Sequence, residues 1–498
     1  MPSAGHGAGL ATSLAMLLSL LVALVAYVAR VDVMVHIVCA SLSLSLLGIA
    51  AALQMARGQR LLDSLAAGQL GPWFGASFAL VFGLASLTWV APPTGDALLI
   101  STDSVLEAMV VVAVALGSFT VGYGIAPRRP VQGAARWLQR VIVTELPVAA
   151  GQEAAWRLLG IAFLAYAAQI ATGGFGYLSD PAAAVSSGNP ISQLLSVVGN
   201  FSVVAVALSA NDYARQRGAG RLVSFALLLA AEIIVGAFSG NKEIVALGFL
   251  AALLGYAAGG RRLPMAGVVS AALLFLFVVV PFTTGYRRQI VVDNSRLSPA
   301  EVLQAASQQG VAFFLPAPQA GEVQSPVTQT LKRVSRIGDV AIIVQRTTPS
   351  DIANRPLTEL LEAPILGLVP RAIWPNKPIL ATGYQFSQQY YDLPASTYTS
   401  SAITPEGDLW RHGGWLVLVA GMLLFGGGVR ILDLATIDVR RAPLRLLLVL
   451  CFFPMIVKHE TDVVSLLAAI PSTLFGVALA ARIVTLRLRR QSKPLNVA

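Results

Sequence analysis

Residues 364–415, PILGLVPRAIWPNKPILATGYQFSQQYYDLPASTYTSSAITPEGDLWRHGGW, hold the densest set of reactive side chains in the chain. Arg371, Lys377, Asp392, Glu406, Asp408, Arg411 and His412 alternate there with Trp374, Tyr384, Tyr390, Tyr391, Tyr398 and Trp410. That mixture suits a sugar-phosphate ligand. Aromatic faces cover sugar rings, carboxylates accept hydroxyl protons, and Arg or Lys meets phosphate. Pro and Gly recur too often for one long regular helix, so a loop of fixed shape is expected. The same composition also suits a rigid loop that binds nothing.

Three further clusters carry charge between apolar runs: Arg287 and Arg288 in GYRRQ, Lys242 and Glu243 after Gly240-Asn241, and Lys458-His459-Glu460-Thr461-Asp462. Charge in a very short turn between membrane helices is costly unless it is paired or wet. Headgroup contact by Arg287 and Arg288, a Lys242–Glu243 helix terminus and a solvated turn at 458–462 are the bland alternatives. Glu232, in AAEIIVGAF, lies within an apolar run and is either functional or bonded to a neighbouring helix. Cys39 and Cys451 sit in apolar runs and read as packing residues. No HExxH, GxSxG, Walker or zinc-type spacing occurs, so neither a metal nor a cofactor is expected.

The elements that must hold these groups are membrane helices. Of 498 residues, 56% are hydrophobic and 12% charged, against about 25% charged in a soluble domain. Mean hydropathy is +0.71. A crossing helix needs about 20 apolar residues. Runs of that kind are expected over 10–29, 33–53, 72–91, 105–125, 155–172, 191–210, 221–239, 243–258, 264–283, 413–433, 443–457 and 463–482. The fold expected is therefore an all-α polytopic membrane protein with about twelve transmembrane helices. Residues 10–29 follow no Lys or Arg and read as a retained first helix, not a signal peptide.

Lys and Arg orient the spans. They crowd after spans two, four, six, eight, ten and twelve, whereas the short loops between carry Arg30, Lys242, Lys458 or no cation. Both termini should face the cytoplasm, with 240–242, 284–412 and 458–462 outside. The net charge of +10 then belongs to cytoplasmic loops and lipid headgroups, and no nucleic-acid partner is implied. Residues 126–154 should form an amphipathic helix on the inner leaflet. Three parts follow: residues 1–283 with spans one to nine, 284–412 as a large extracytoplasmic loop, and 413–498 with spans ten to twelve and a tail. A loop that long carries structure or function of its own. Helices are expected at 298–315 and 326–346.

PRAIWPNKP at 370–378, Gly383 and TPEGDLWRHGGW at 404–415 resemble the Wzy-type polysaccharide (O-antigen and exopolysaccharide repeat unit) polymerases. Asp408 stands where Glu is common in that family, and Gly240-Asn241-Lys242 is similar to its Gly-Ser-Arg turn. The resemblance implies a GT-C-like glycosyltransferase of the bacterial inner membrane. Its donor and acceptor would be oligosaccharides on undecaprenyl diphosphate, joined on the periplasmic side. A flippase and a chain-length regulator would be companion proteins. Such an enzyme needs cations at the membrane boundary for the diphosphate, and the candidates are Arg371, Lys377, Arg287, Arg288 and Lys242. It needs a base for the attacking hydroxyl: Glu406, Asp408, His412, His459 or Glu460, with Glu406 or Asp408 favoured. Trp374, Tyr384, Tyr391, Tyr398, Arg411 and His412 would hold the sugars. An O-antigen ligase would use the same donor with another acceptor. A flippase or transporter would need polar residues along a midplane path, and a scaffold would not need the aromatic–ionic segment.

Overall fold

The structure is a computed structural model. It describes residues 33–485 except 91–99, 143–150, 177–191, 284–303, 305–330, 370–372, 379–381, 395–400 and scattered single or paired positions. The expected first span, the helix at 298–315 and the functional candidates Arg287, Arg288, Arg371 and Tyr398 lie outside the described residues.

The elements run in order α1 (Val33–Ala56), α2 (Leu61–Ala66), α3 (Gly71–Phe78), α4 (Thr102–Ile125), α5 (Arg128–Ile142), α6 (Gly151–Ala171), α7 (Ser192–Gly199), α8 (Phe201–Arg215) and α9 (Ala219–Phe238). They continue with α10 (Lys242–Ala258), α11 (Met265–Leu274), α12 (Ile337–Arg346), α13 (Pro349–Asn354), α14 (Thr358–Leu368), α15 (Thr382–Tyr391), α16 (Pro405–Ala435), α17 (Leu446–Val457) and α18 (Val463–Thr485). Among the described residues there is no strand. Each expected span from 33–53 onward is helical. Eight stretches are long and apolar enough to cross a membrane: α1, α3 with its continuation to Trp89, α4, α6, Leu194–Arg215, α9, α16 and α18. This is the build of a polytopic membrane protein. α10, α11 and α17 are apolar helices of shorter reach.

Small residues set the central contact. Gly122 of α4 lies against the backbone at Leu423, and Gly426 of α16 against the backbone at Phe119 and Tyr123. Any side chain there would drive the two helices apart, which is why small residues mark close helix crossings in membranes.

Among the described residues, contacts between helix ends fall into two groups. In one group Ser101, which caps α4, donates its amide to Gln345 of α12 at 2.8 Å, and Lys458 after α17 meets Glu243 at the start of α10. In the other group Asp433 of α16 accepts from the amides of Leu70 and Gly71 at 2.5 and 3.1 Å. Gln139 of α5 donates to the Leu434 carbonyl at 3.0 Å. Ser101, Glu243 and Lys458 border segments expected outside, and Leu70, Gln139 and Asp433 border segments expected in the cytoplasm. α5 is amphipathic, with Val131, Ala135 and Leu138 turned inward and Arg128, Arg129 and Arg136 exposed.

The segment expected as a shaped loop is largely built of short helices. α16 begins at Pro405, not at 413, so Pro405-Glu406-Gly407-Asp408 is its first turn. The local reason is in the sequence. Thr404 caps the helix by accepting from the Gly407 amide at 3.0 Å, Pro405 takes a position where its missing N–H costs nothing, and two carboxylates face the positive helix end. Gly414 then breaks the helix at φ +57°, a conformation that favours glycine. Residues 405–412 are buried in protein, whereas Trp415, Leu416 and Leu424 beyond the break are exposed.

Candidate functional site

Two adjoining grooves open at the end where the 240–243 and 458–460 turns meet. The first has an open volume of about 520 Å³ and is bordered by Lys242, Glu243, Lys458 and Glu460 over an apolar floor that includes Leu250 and Phe453. The second, about 650 Å³, runs between α10, α14, α17 and α18 and has Lys377 at its border. Asn241, Glu243, Leu247 and Pro454 line both. The first groove therefore joins a charged rim to an apolar floor, and the second mixes apolar side chains with the hydroxyls of Ser465, Ser472 and Thr473.

The rim charges form a connected network. Lys458 Nζ donates to Glu243 Oε2 at 2.7 Å and lies 3.6 Å from Glu460 Oε2. Burial works against the Lys458 ammonium, but Glu243 and then Glu460 outweigh it and hold its pKa above the ordinary lysine value. Glu460 also pairs with Arg336, which reaches Asp339 at 3.3 Å. Burial pushes Asp339 upward against the pull of Arg336 and of the Tyr391 hydroxyl, which donates to it at 2.8 Å. Lys377 Nζ donates to the Val369 carbonyl just past α14 at 3.1 Å. A cation on the last carbonyls of a helix is favourable.

A second cluster lies behind this rim, away from both grooves. Asp408 accepts from Arg411 Nε at 2.6 Å with one oxygen and from the Val463 amide at 2.8 Å with the other. It thus caps α18 while neutralising a guanidinium that is 1% exposed. His412 turns Nδ1 to the Asp408 carbonyl at 2.7 Å and Nε2 to Glu359 at 3.2 Å. His459 sits at φ 49° between the groove-lining Lys458 and Glu460, with its ring turned into the protein. Its Nδ1 is 3.3 Å from Glu406 Oε1 and its Nε2 3.0 Å from Ser77 Oγ. Phe74, Phe78 and Phe82 surround the imidazole. The other oxygen of Glu406 is buried without a hydrogen-bond partner.

Lys242 and Glu460 thus line the first groove and Lys377 the second, whereas Glu406, Asp408, Arg411, His412 and His459 form a shielded node beside them. Tyr384 and Tyr391 lie together on α15, and Trp374 stands 39% exposed beyond α14. Asp408 is a weak candidate for a base because it is fully buried and lines neither groove. Sequence reading did not place Ser77, Arg336 or Asp339 here. Ser77 is one hydroxyl in an apolar run and carries no local signal. Arg336 lies within the helix expected at 326–346, but its partner Glu460 is 124 residues away.

Among the described residues no three His, Cys, Asp or Glu side chains gather as a metal site. No curated protein and no solved structure matches this chain. One family model does, described as Domain of unknown function (DUF8712), over residues 176–432. The match takes in Lys242, Lys377 and the 404–412 turn and stops before the 458–462 turn. It covers more than half of the 498 residues, and the protein belongs to that family.

Proposed function

We propose that this chain joins oligosaccharide repeat units carried on undecaprenyl diphosphate into a surface polysaccharide, at the groove rimmed by Lys242, Lys458 and Glu460. One observation carries the reading: cations and a carboxylate stand at the mouth of an apolar groove between membrane helices. An amphiphile with an anionic head and a long hydrocarbon tail is complementary to that shape. In the reaction an acceptor hydroxyl oxygen attacks the anomeric carbon of the donor. The carbon–oxygen bond to the diphosphate breaks, and the lipid diphosphate leaves with the electron pair. Lys458 exchanges Glu243 for the diphosphate, and Lys242 adds a second positive charge. Glu460, 29% exposed at the groove wall, takes the hydroxyl proton. Arg287, Arg288 and Arg371 keep their assignment from the sequence as further diphosphate ligands.

The test is binding of undecaprenyl diphosphate to the purified protein in nanodiscs. Lys458→Gln and Lys242→Gln should each weaken it by roughly 10-fold, the scale of one charge-assisted hydrogen bond. Unchanged affinity in both variants would remove the groove from lipid-diphosphate recognition.

The reading also fixes an orientation: about twelve spans, both termini in the cytoplasm of a bacterial inner membrane, and the groove end toward the periplasm. A cysteine at Asp392, next to α15 and 69% exposed, should react with an impermeant thiol reagent in intact spheroplasts. Labelling only after lysis would reverse the orientation.

A further inference from the structure

Helix α14 is too apolar on its outer side for an aqueous loop. Leu357, Leu361, Ile365 and Leu368 recur at helical spacing and are 49%, 75%, 58% and 61% exposed. Glu362 is exposed on the flank of that stripe. The opposite side packs on a membrane span. Ala363 contacts Val464 and Ala468 of α18, and Gly367 lies against the Ala468 carbonyl. α14 therefore shares its level with the first turns of α18, where the span leaves the polar end. An apolar stripe outward, an acid on the flank and a span behind are the features of a helix lying in the membrane boundary.

The inner side of the same helix walls the larger groove. Leu366 and Gly367 line it together with Leu247 of α10, Met455 of α17 and Ala468 of α18. The groove follows α18 from Ser465 to Thr473, about 12 Å of helix. Leu247, Leu366, Met455, Ala468 and Ala469 give it an apolar side, Ser465, Ser472 and Thr473 add hydroxyls along α18, and Asn241 and Glu243 line both this groove and the first.

We infer that α14 is an interfacial helix forming the side wall of a binding groove for a polyprenyl chain, which enters sideways from the bilayer between α14 and α10. The apolar chain replaces lipid contact along the apolar side, while its charged head stays at the level of Lys377 and Lys458. The nature of the chain rests on the function proposed above; the membrane position of α14 does not.

Two measurements separate these parts. In a Cys39→Ala, Cys451→Ala background, nitroxides at Leu361→Cys and Ile365→Cys in nanodiscs should meet oxygen readily and a water-soluble nickel chelate poorly. A nitroxide at Asp392→Cys serves as the aqueous control. Nickel access at 361 and 365 equal to that at 392 would overturn the interfacial placement. It would leave the lysine-dependent binding test untouched. A polyprenyl phosphate carrying a photoreactive group near its tail should label the α18 peptide around Ala468–Thr473. Excess polyprenyl phosphate should suppress that labelling, and phosphatidylglycerol should not. No labelling, or equal suppression by phosphatidylglycerol, would overturn the polyprenyl groove.

Discussion

Asp408→Asn is expected to cost about 3–5 kcal/mol of folding stability, the usual consequence of stranding one partner of a buried ion pair. Asp408 is fully buried and serves two donors, the Arg411 guanidinium and the Val463 amide that starts α18. An amide of the same size can offer its oxygen to only one of them. Its NH2 then faces the other, donor against donor. One terminal nitrogen of Arg411 is already buried without a hydrogen bond, so losing the Asp408 carboxylate leaves the guanidinium still less satisfied. The expected readout is a large drop in the unfolding midpoint of detergent-solubilised protein. Asp408→Asn combined with Arg411→Met should recover part of the loss, because the stranded charge is gone. A single variant within about 0.5 kcal/mol of wild type, the range of an ordinary surface change, would show that this pair does not hold α16 to α18.

Glu460→Gln should lower turnover of lipid-linked repeat units by roughly 10²–10⁴-fold, the contribution of a positioned general base. Lipid-diphosphate binding should persist, because the lysines remain. Glu460 is the one member of the base set that lines a groove among the described residues. Glu406 is sealed against His459 by a fully buried environment, so Glu406→Gln should act on stability and leave turnover within a few-fold. The contrast between the two amides is the decisive comparison. Near wild-type turnover in Glu460→Gln, with loss in a folded Glu406→Gln protein, would move the base to the buried node. Some opening of that node toward the groove would then be part of the cycle.

Much of the architecture was legible because it rests on local physics. Apolar run length decides which segments become membrane helices, and the runs from 33–53 to 463–482 are all helical. Cation alternation sorted the loops into two groups, and the described residues bordering them pair within their own group, Glu243 with Lys458 and Leu70 and Gly71 with Asp433. Short-range chemistry was legible in principle at the start of α16, where Thr404, Pro405 and two acids make a helix terminus. The frequent Pro and Gly of 364–415 nevertheless point to a loop, and the helix start at Thr404 is a local exception to that composition.

Tertiary structure alone decided the partners. Lys458 and Glu243 are 215 residues apart, and Asp408 and Val463 are 55 apart. Composition put acids and cations at one end of the molecule. It could not say that Asp408 is consumed in holding two helices together while Glu460 stands at an open groove. That division depends on the rotation of each helix about its axis and its depth in the bundle. Both are set by long-range packing, such as the glycine contact between α4 and α16. The place of α14 was hidden for the same reason: its apolar stripe is visible in the sequence, but only its contact with Val464 and Ala468 gives the level at which it lies.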